Sequence, residues 1–212
     1  MTDAHVHHDG DDEGHGSFDA RAATWDDDPE KVERARIVAD AIVEAVPVTG
    51  DARLLEYGAG TGLLAQFLAP HVGTITVADP SEGMRAVMLD KVERGELPGA
   101  KVVDIDLDPD ERFDLVVSLM ALHHVPEPAD ALALLATVTE PGGTVALADL
   151  EAEDGSFHGE GFGGHHGFEP ATLDDWLVAA GFGTSTFSRV HTVTKDGRDY
   201  PLFLAVARRR SP

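Results

Sequence analysis

The sequence predicts an α/β fold: a Rossmann-like doubly wound sheet, mostly parallel with one antiparallel C-terminal strand, and helices on both faces. Two observations carry this. From residue 52 to residue 180, short apolar runs alternate with stretches of helical spacing, as βαβ units do. Within that alternation, Leu54-Leu55-Glu56-Tyr57-Gly58-Ala59-Gly60-Thr61-Gly62 ends an apolar run in an acid and then places three alternating glycines before a helix. Such a turn brings bare backbone to the carboxyl edge of the sheet, where α/β proteins hold adenosine-containing cofactors.

The elements follow in order. Residues 1–17 hold four histidines among Asp, Glu and Gly, and read as a disordered tail. Its His5, His7, His8 and His15 are weak metal-ligand candidates. Residues 18–212 form a single domain, since 212 residues suffice for one α/β core. Asp28-Pro29-Glu30 has the cap, proline and acid of a helix start, and Val32, Ala35, Val38, Ala39, Ile42 and Val46 then recur at helical spacing. Strands are expected at 52–57, 74–79, 100–104, 113–119 and 144–149, with helices at 63–69, 82–93 and 128–139 between them. The rhythm breaks at 151–168, a glycine-rich and histidine-rich stretch without periodicity, expected to be a functional loop or lid on the substrate side. A helix at 170–180 stops at Gly181. A hairpin of 184–194 and 200–208 turns at Asp196-Gly197.

Composition limits the rest. There is no cysteine, which excludes disulfides, thiolate zinc sites and thiol nucleophiles. Nothing approaches 18 consecutive apolar residues, and the N-terminus lacks a basic-then-apolar leader, so a cytoplasmic protein without a membrane partner is expected. The net charge of -23 comes from 24 Asp and 15 Glu against 12 Arg and only 4 Lys. Such a field repels nucleic acid. Its Asp-rich, Lys-poor make-up also fits a halophilic protein, because at ~1 M salt the Debye length falls to about 3 Å and self-repulsion is screened.

The glycine turn admits two registers. Gly60, Gly62 and Ala65 match the dinucleotide spacing G-x-G-x-x-A, but leave three residues between strand and motif. The pattern from Glu56, E-x-G-x-G-x-G, starts at the strand end. An acid there suits a cofactor bearing an ammonium group and would serve no purpose beside a pyrophosphate.

In that register Leu54–Gly62 resembles the first motif of class I S-adenosylmethionine-dependent methyltransferases of the small-molecule, type 11/12-like subgroup. The likeness continues with Val77–Met84, Asp104-Ile105, Phe113–Ser118, Leu122-His123-His124-Val125 and Pro141–Thr144, and upstream with Phe18–Asp26. The resemblance implies S-adenosyl-L-methionine as cofactor. It implies that Glu56, Gly58, Gly60 and Gly62 hold the methionine part, with Trp25 over that end. Asp79 would take the ribose hydroxyls, although Asp before Pro-Ser also suits a helix cap. Asp104 and Ile105 would meet the adenine, Ser118 would lie near the cofactor after strand 4, and Met84 is either an adenine contact or helix core.

Methyl transfer requires in-line alignment, and a base only for some acceptors. Base candidates are His123 and His124 after strand 4, and His158, His165 and His166 in the irregular segment. His158, His166 and His124 are the expected catalytic residues. A metal set of His158, His165 and His166 with Asp154 or Glu160 is a lesser reading, and no metal site is assigned. The Asn/Asp-Pro-Pro-Tyr/Phe run of amino-directed nucleic-acid enzymes is absent, Ser118-Leu119-Met120-Ala121 standing there instead, so the expected acceptor is a small molecule. The alternatives are an NAD-type oxidoreductase and a non-catalytic cofactor-binding regulatory module. Oligomeric state is not readable.

Overall fold

The structure, a computed structural model, describes residues 15–211, with side chains from residue 18 onward. His5, His7 and His8 of the expected tail, and the His15 side chain, lie outside the described residues. The backbone is already helical from His15, so the ordered domain begins inside the expected tail.

Seven strands form one sheet: β1 Arg53–Tyr57, β2 Thr74–Ala78, β3 Lys101–Val103, β4 Phe113–Leu119, β5 Thr139–Leu150, β6 Thr186–Lys195 and β7 Arg198–Arg208. Their order is β3-β2-β1-β4-β5-β7-β6. All pairings among β1 to β5 are parallel, while β7 runs antiparallel to both β5 and β6. The hairpin thus inserts its second strand between β5 and β6. Its turn is Asp196-Gly197, both with positive φ (53° and 75°), the two-residue geometry that matches strand twist.

Among the described residues the α-helices are α1 His15–Arg21, α2 Pro29–Ala45, α3 Leu63–Leu68, α4 Glu82–Arg94, α5 Pro128–Val138 and α6 Pro170–Ala180. Alternation along the strands divides two cores. Leu54, Leu115, Val117, Ala146 and Ala148 meet Val38, Ile42, Leu64, Leu68 and Met88 of α2, α3 and α4 on one face. Leu55, Val116, Val145 and Leu147 meet Leu132, Leu135, Leu173 and Leu177 of α5 and α6 on the other. A sheet buried on both faces needs near-continuous apolar strands, which explains why those strands show so little polar alternation. Asp28 caps α2 by accepting from the Glu30 amide at 2.9 Å, and Ser81 caps α4 by accepting from the Met84 amide at 3.1 Å. Among the described residues, no helix is long and apolar enough to cross a membrane.

Two elements differ from expectation. β5 begins at Thr139, five residues early, because Phe113 pairs with Thr139 before the register shifts around Pro141-Gly142-Gly143. The segment ahead of α2 is also ordered, as α1 and a 3-10 turn over Ala22–Asp27. Two aspartates fasten it. Asp19 accepts from the Ser81 hydroxyl at 2.5 Å and the Gly83 amide at 2.9 Å. A side chain at Gly83 would lie 2.8 Å from the Asp19 Cα, so this contact requires glycine. Asp26 takes the Thr61 hydroxyl on one oxygen and the Lys91 ammonium on the other, each at 2.5 Å. Lys91 is only 2 % exposed, with Gln66 as its second partner at 3.3 Å.

The Asp26–Lys91 pair is therefore asymmetric. Asp26→Ala strands a buried ammonium and should cost about 2–4 kcal/mol in urea unfolding. Lys91→Met leaves Asp26 at a partly open edge and should stay within about 1 kcal/mol of the parent.

Candidate functional site

A cavity of about 610 Å³ opens at the carboxyl ends of β1, β2 and β4, roofed by the segment from Phe18 to Lys31. That volume lies in the range of cofactor and small-ligand sites. Its floor is the loop after β1. Gly58, Gly60 and Gly62 all adopt left-handed backbone, at φ of 67°, 56° and 78°. A Cβ at Gly58 would stand 2.4 Å from the Ala121 Cβ, and one at Gly62 would stand 2.8 Å from the Leu97 Cδ1. A Cβ at Gly60 would meet nothing within 4 Å. Two of the glycines thus let neighbouring chain approach, and the third serves backbone direction alone.

Carboxylates hold both ends of this loop. Glu56, 2 % exposed, accepts from the Ala65 amide in the first turn of α3 at 2.8 Å. Burial pushes its carboxyl up to about 8, against the pull of that hydrogen bond. Asp79 ends β2, accepts from the Gly60 amide at 2.7 Å on one oxygen and from the Ser81 amide at 2.9 Å on the other. The helix cap expected of Asp79 is supplied by Ser81 instead, and Asp79 holds the turn before it together with the loop. Met84 and Ile105 line the wall beside Asp79, and Trp25 lines the roof with the Lys31 ammonium 4.2 Å from its ring centroid.

The opposite wall holds His123, His124, Phe157 and His158, with Val193, Thr194 and Lys195 of β6. His123 and His124 follow β4 in a 3-10 turn over Leu122–His124. His123 is fully buried and its Nδ1 lies 2.6 Å from Asp149 Oδ1 at the end of β5. Its Nε2 lies 3.1 Å from the Nε2 of His158. Burial, with the neighbouring imidazoles, pushes His124 and His158 down to about 3, so both rings are neutral at physiological pH.

His158 is delivered by the 151–168 segment, which is ordered and returns on itself. Glu151 bridges Phe168, the Glu153 amide donates to the His166 carbonyl at 2.9 Å, and Lys195 Nζ donates to the Phe157 carbonyl at 2.6 Å. The segment carries no helix or strand of its own, as a loop does, and these bonds fold it back on itself.

Of the residues expected at the site, Glu56, Gly58, Gly60, Asp79, Met84, Ile105, Trp25, His124 and His158 line the cavity. Others stand elsewhere. Ser118 Oγ donates to the Tyr57 carbonyl at 2.8 Å and ties β4 to β1. Asp104 pairs with Arg85 Nη1 at 3.0 Å and accepts from the Ile105 amide at 2.6 Å, off the cavity wall. Gly62 packs beneath the loop. His166 turns toward Glu153, 3.3 Å away, because backbone pairing with Glu153 directs it away from the cavity. His165 reaches the Pro126 carbonyl at 3.2 Å. Asp149, Asp19 and Asp26 carry no assignment from sequence. For Asp149 the signal was available, since it is an acid ending an apolar strand, as Glu56 and Asp79 are.

A family profile described as a methyltransferase domain matches residues 21–187. The ubiquinone biosynthesis O-methyltransferase of Alkalilimnicola ehrlichii is 29 % identical over 148 residues, 66 % of this chain and 60 % of that one. The demethylmenaquinone methyltransferase of Clavibacter sepedonicus is 35 % identical over 107 residues, 49 % of this chain and 43 % of that one. The chain thus spans about half the length of the curated relatives it matches. Among solved structures, an amino pentose methyltransferase from Micromonospora echinaspora shares the fold with a TM-score of 0.58 at 22 % identity, over 84 % of this chain and 90 % of that one.

The glycines separate two costs. Gly60→Ala should lose about 1–2 kcal/mol, the left-handed penalty alone. Gly58→Ala adds a collision with Ala121 and should lose about 2–5 kcal/mol. Chemical denaturation measures both, and equal losses would contradict the close-approach role of Gly58.

Proposed function

The chain belongs to the methyltransferase domain family, and on that footing we propose that it is an S-adenosyl-L-methionine-dependent methyltransferase acting on a small-molecule acceptor. The observation that carries the reading is the pair of carboxylates at the two ends of the bare glycine loop. Asp79, beside Met84 and Ile105, is the ribose acceptor, and adenine lies against those two apolar side chains. Glu56 with the backbone of Gly58 and Gly60 receives the methionine part, its carboxylate meeting the ammonium. Trp25 covers that end.

The same geometry disfavours a nicotinamide dinucleotide. A pyrophosphate in the Gly60-Gly62-Ala65 register would need the amides at the start of α3. The Ala65 amide already donates to the buried Glu56 carboxyl and so is not open to a diphosphate. A regulatory module that binds the cofactor without turnover is separated by assay alone.

Catalysis on this reading is alignment and exclusion of water. The cofactor when bound would supply a methyl group on a sulfonium, and His123, His124 and His158 would form the wall that holds the acceptor's nucleophilic atom in line with it. Alignment of this kind supplies on the order of 7–11 kcal/mol. Lys195 lines the cavity on the wall of Phe157 and His158 and favours an acceptor that carries a negative group over a cationic one, while Arg34, its Nε buried without a hydrogen-bond partner, lines the cavity near Asp28 and Glu30.

Calorimetry tests the cofactor assignment. S-Adenosylmethionine and S-adenosylhomocysteine should bind at one site across several salt concentrations, and NAD(H) should not. Binding of NAD(H) alone, or of none of these by folded protein, would reject it. Asp79→Ala should weaken cofactor binding by about 1–3 kcal/mol and also lower stability, because the Gly60 and Ser81 amides lose their acceptor.

The pH dependence follows from Glu56. With its carboxyl pushed up to about 8, the free protein holds it protonated at pH 7, and binding an ammonium must release that proton. Affinity should therefore rise from pH 6 to a maximum near pH 8, by up to about tenfold per unit, and fall above it as the ligand's α-amino group, which ordinarily titrates at about 7.7–8.0, loses its proton. Glu56→Gln should remove the rising limb and lower the maximum. A profile that falls from pH 6 to pH 8 would remove Glu56 from the site.

A further inference from the structure

We propose that His123, His124 and His158 form a binding site for a first-row divalent metal ion of the zinc type. Asp149 orients the site, and its fourth position opens into the cavity. Each imidazole offers one ring nitrogen, and the three nitrogens lie within 4.8 Å of one another. Two of them, the Nε2 atoms of His123 and His158, are 3.1 Å apart. Nitrogens bound tetrahedrally to one zinc at about 2.0–2.1 Å lie about 3.3 Å apart. That pair already stands at ligand spacing, and the third nitrogen needs a closure of about 1.5 Å at most by the same geometry.

The surroundings are those of a ligand site. Asp149 is 1 % exposed and sits 2.6 Å from His123 Nδ1, while also accepting from the His123 and Leu150 amides. The carboxylate makes Nδ1 the protonated nitrogen and leaves the Nε2 lone pair facing His158. Carboxylate–histidine pairs behind metal ligands work in this way. The rings are also held in plane by neighbours. Phe162 stacks on His158 with centroids 3.8 Å apart, Phe157 meets the same ring edge-on at 4.9 Å, and Phe18 meets His124 edge-on at 5.2 Å.

Among the described residues the set is three imidazoles with no carboxylate, which matches catalytic sites that keep one position for an exchangeable ligand. That position faces the acceptor end of the cavity and would take water or an anionic oxygen or sulfur of the acceptor, a clause that rests on the methyltransferase reading. Metal binding itself does not rest on it.

The test uses the full chain with His5, His7, His8 and His15 replaced by Asn, so that the tail cannot contribute ligands. Zinc affinity is measured by competition with a chromophoric chelator, and cobalt(II) substitution reports coordination through its visible spectrum. One ion per chain is expected, with the strong absorption of a four-coordinate cobalt site. His124→Gln and His158→Gln should each weaken zinc binding at least 100-fold, and Asp149→Asn by 10–100-fold, as orienting carboxylates do. Circular dichroism melts confirm folding, and the two cavity-wall variants keep the test decisive if Asp149→Asn unfolds. No zinc bound by the tail-substituted chain, or a loss below tenfold in either wall variant, would overturn the proposal and leave an ordinary aromatic–imidazole cluster. Zinc binding without S-adenosylhomocysteine binding would leave the metal site standing and reject the cofactor reading instead.

Discussion

The hydrogen bond from the Gly60 amide to the Asp79 carboxylate is the constraint on which the cofactor end depends. It joins the loop after β1 to the end of β2, alongside the Ala59 amide, which donates to the Ala78 carbonyl at 3.0 Å. The loop follows a left-handed path at three glycines, which no other residue adopts without strain. Without an anchor such a path has no reason to be single. Asp79 supplies it on one oxygen and holds the Ser81 turn with the other, and Glu56 fixes the loop's far side to α3.

Much of the fold was legible because its signals are local. Strands buried on both faces read as continuous apolar runs, and caps at Asp28 and Ser81 and the left-handed Gly181 stand next to the helices they bound. The early start of β5 was not legible, since it depends on Thr139 finding Phe113 across the sheet. The N-terminal segment was expected over the cofactor end by resemblance, but the contacts that fasten it were hidden for a similar reason. Asp19 and Asp26 look like members of an acidic surface until Ser81, Gly83, Thr61 and Lys91 are brought to them from 35 to 65 residues away.

The site divides along the same line. Glu56, Gly58, Gly60 and Asp79 reach the cavity because each lies at or just past the end of a strand, where the backbone dictates direction. Histidines in loops carry no such marker. His158 reaches the cavity and His166 does not, although only eight residues separate them. The difference lies in the pairing of Glu153 with His166, which turns one ring outward, while the chain around Phe157 is drawn in by Lys195. His123 and its partner Asp149 depend on the neighbouring ends of β4 and β5, a juxtaposition that follows from strand order.

A crystal structure with S-adenosylhomocysteine bound tests the central claim most directly. The account predicts both ribose hydroxyls within hydrogen-bonding distance of Asp79, the ammonium against Glu56, and the sulfur facing the wall of His123, His124 and His158. A ligand whose ribose lies away from Asp79, or whose sulfur faces away from that wall, would contradict it.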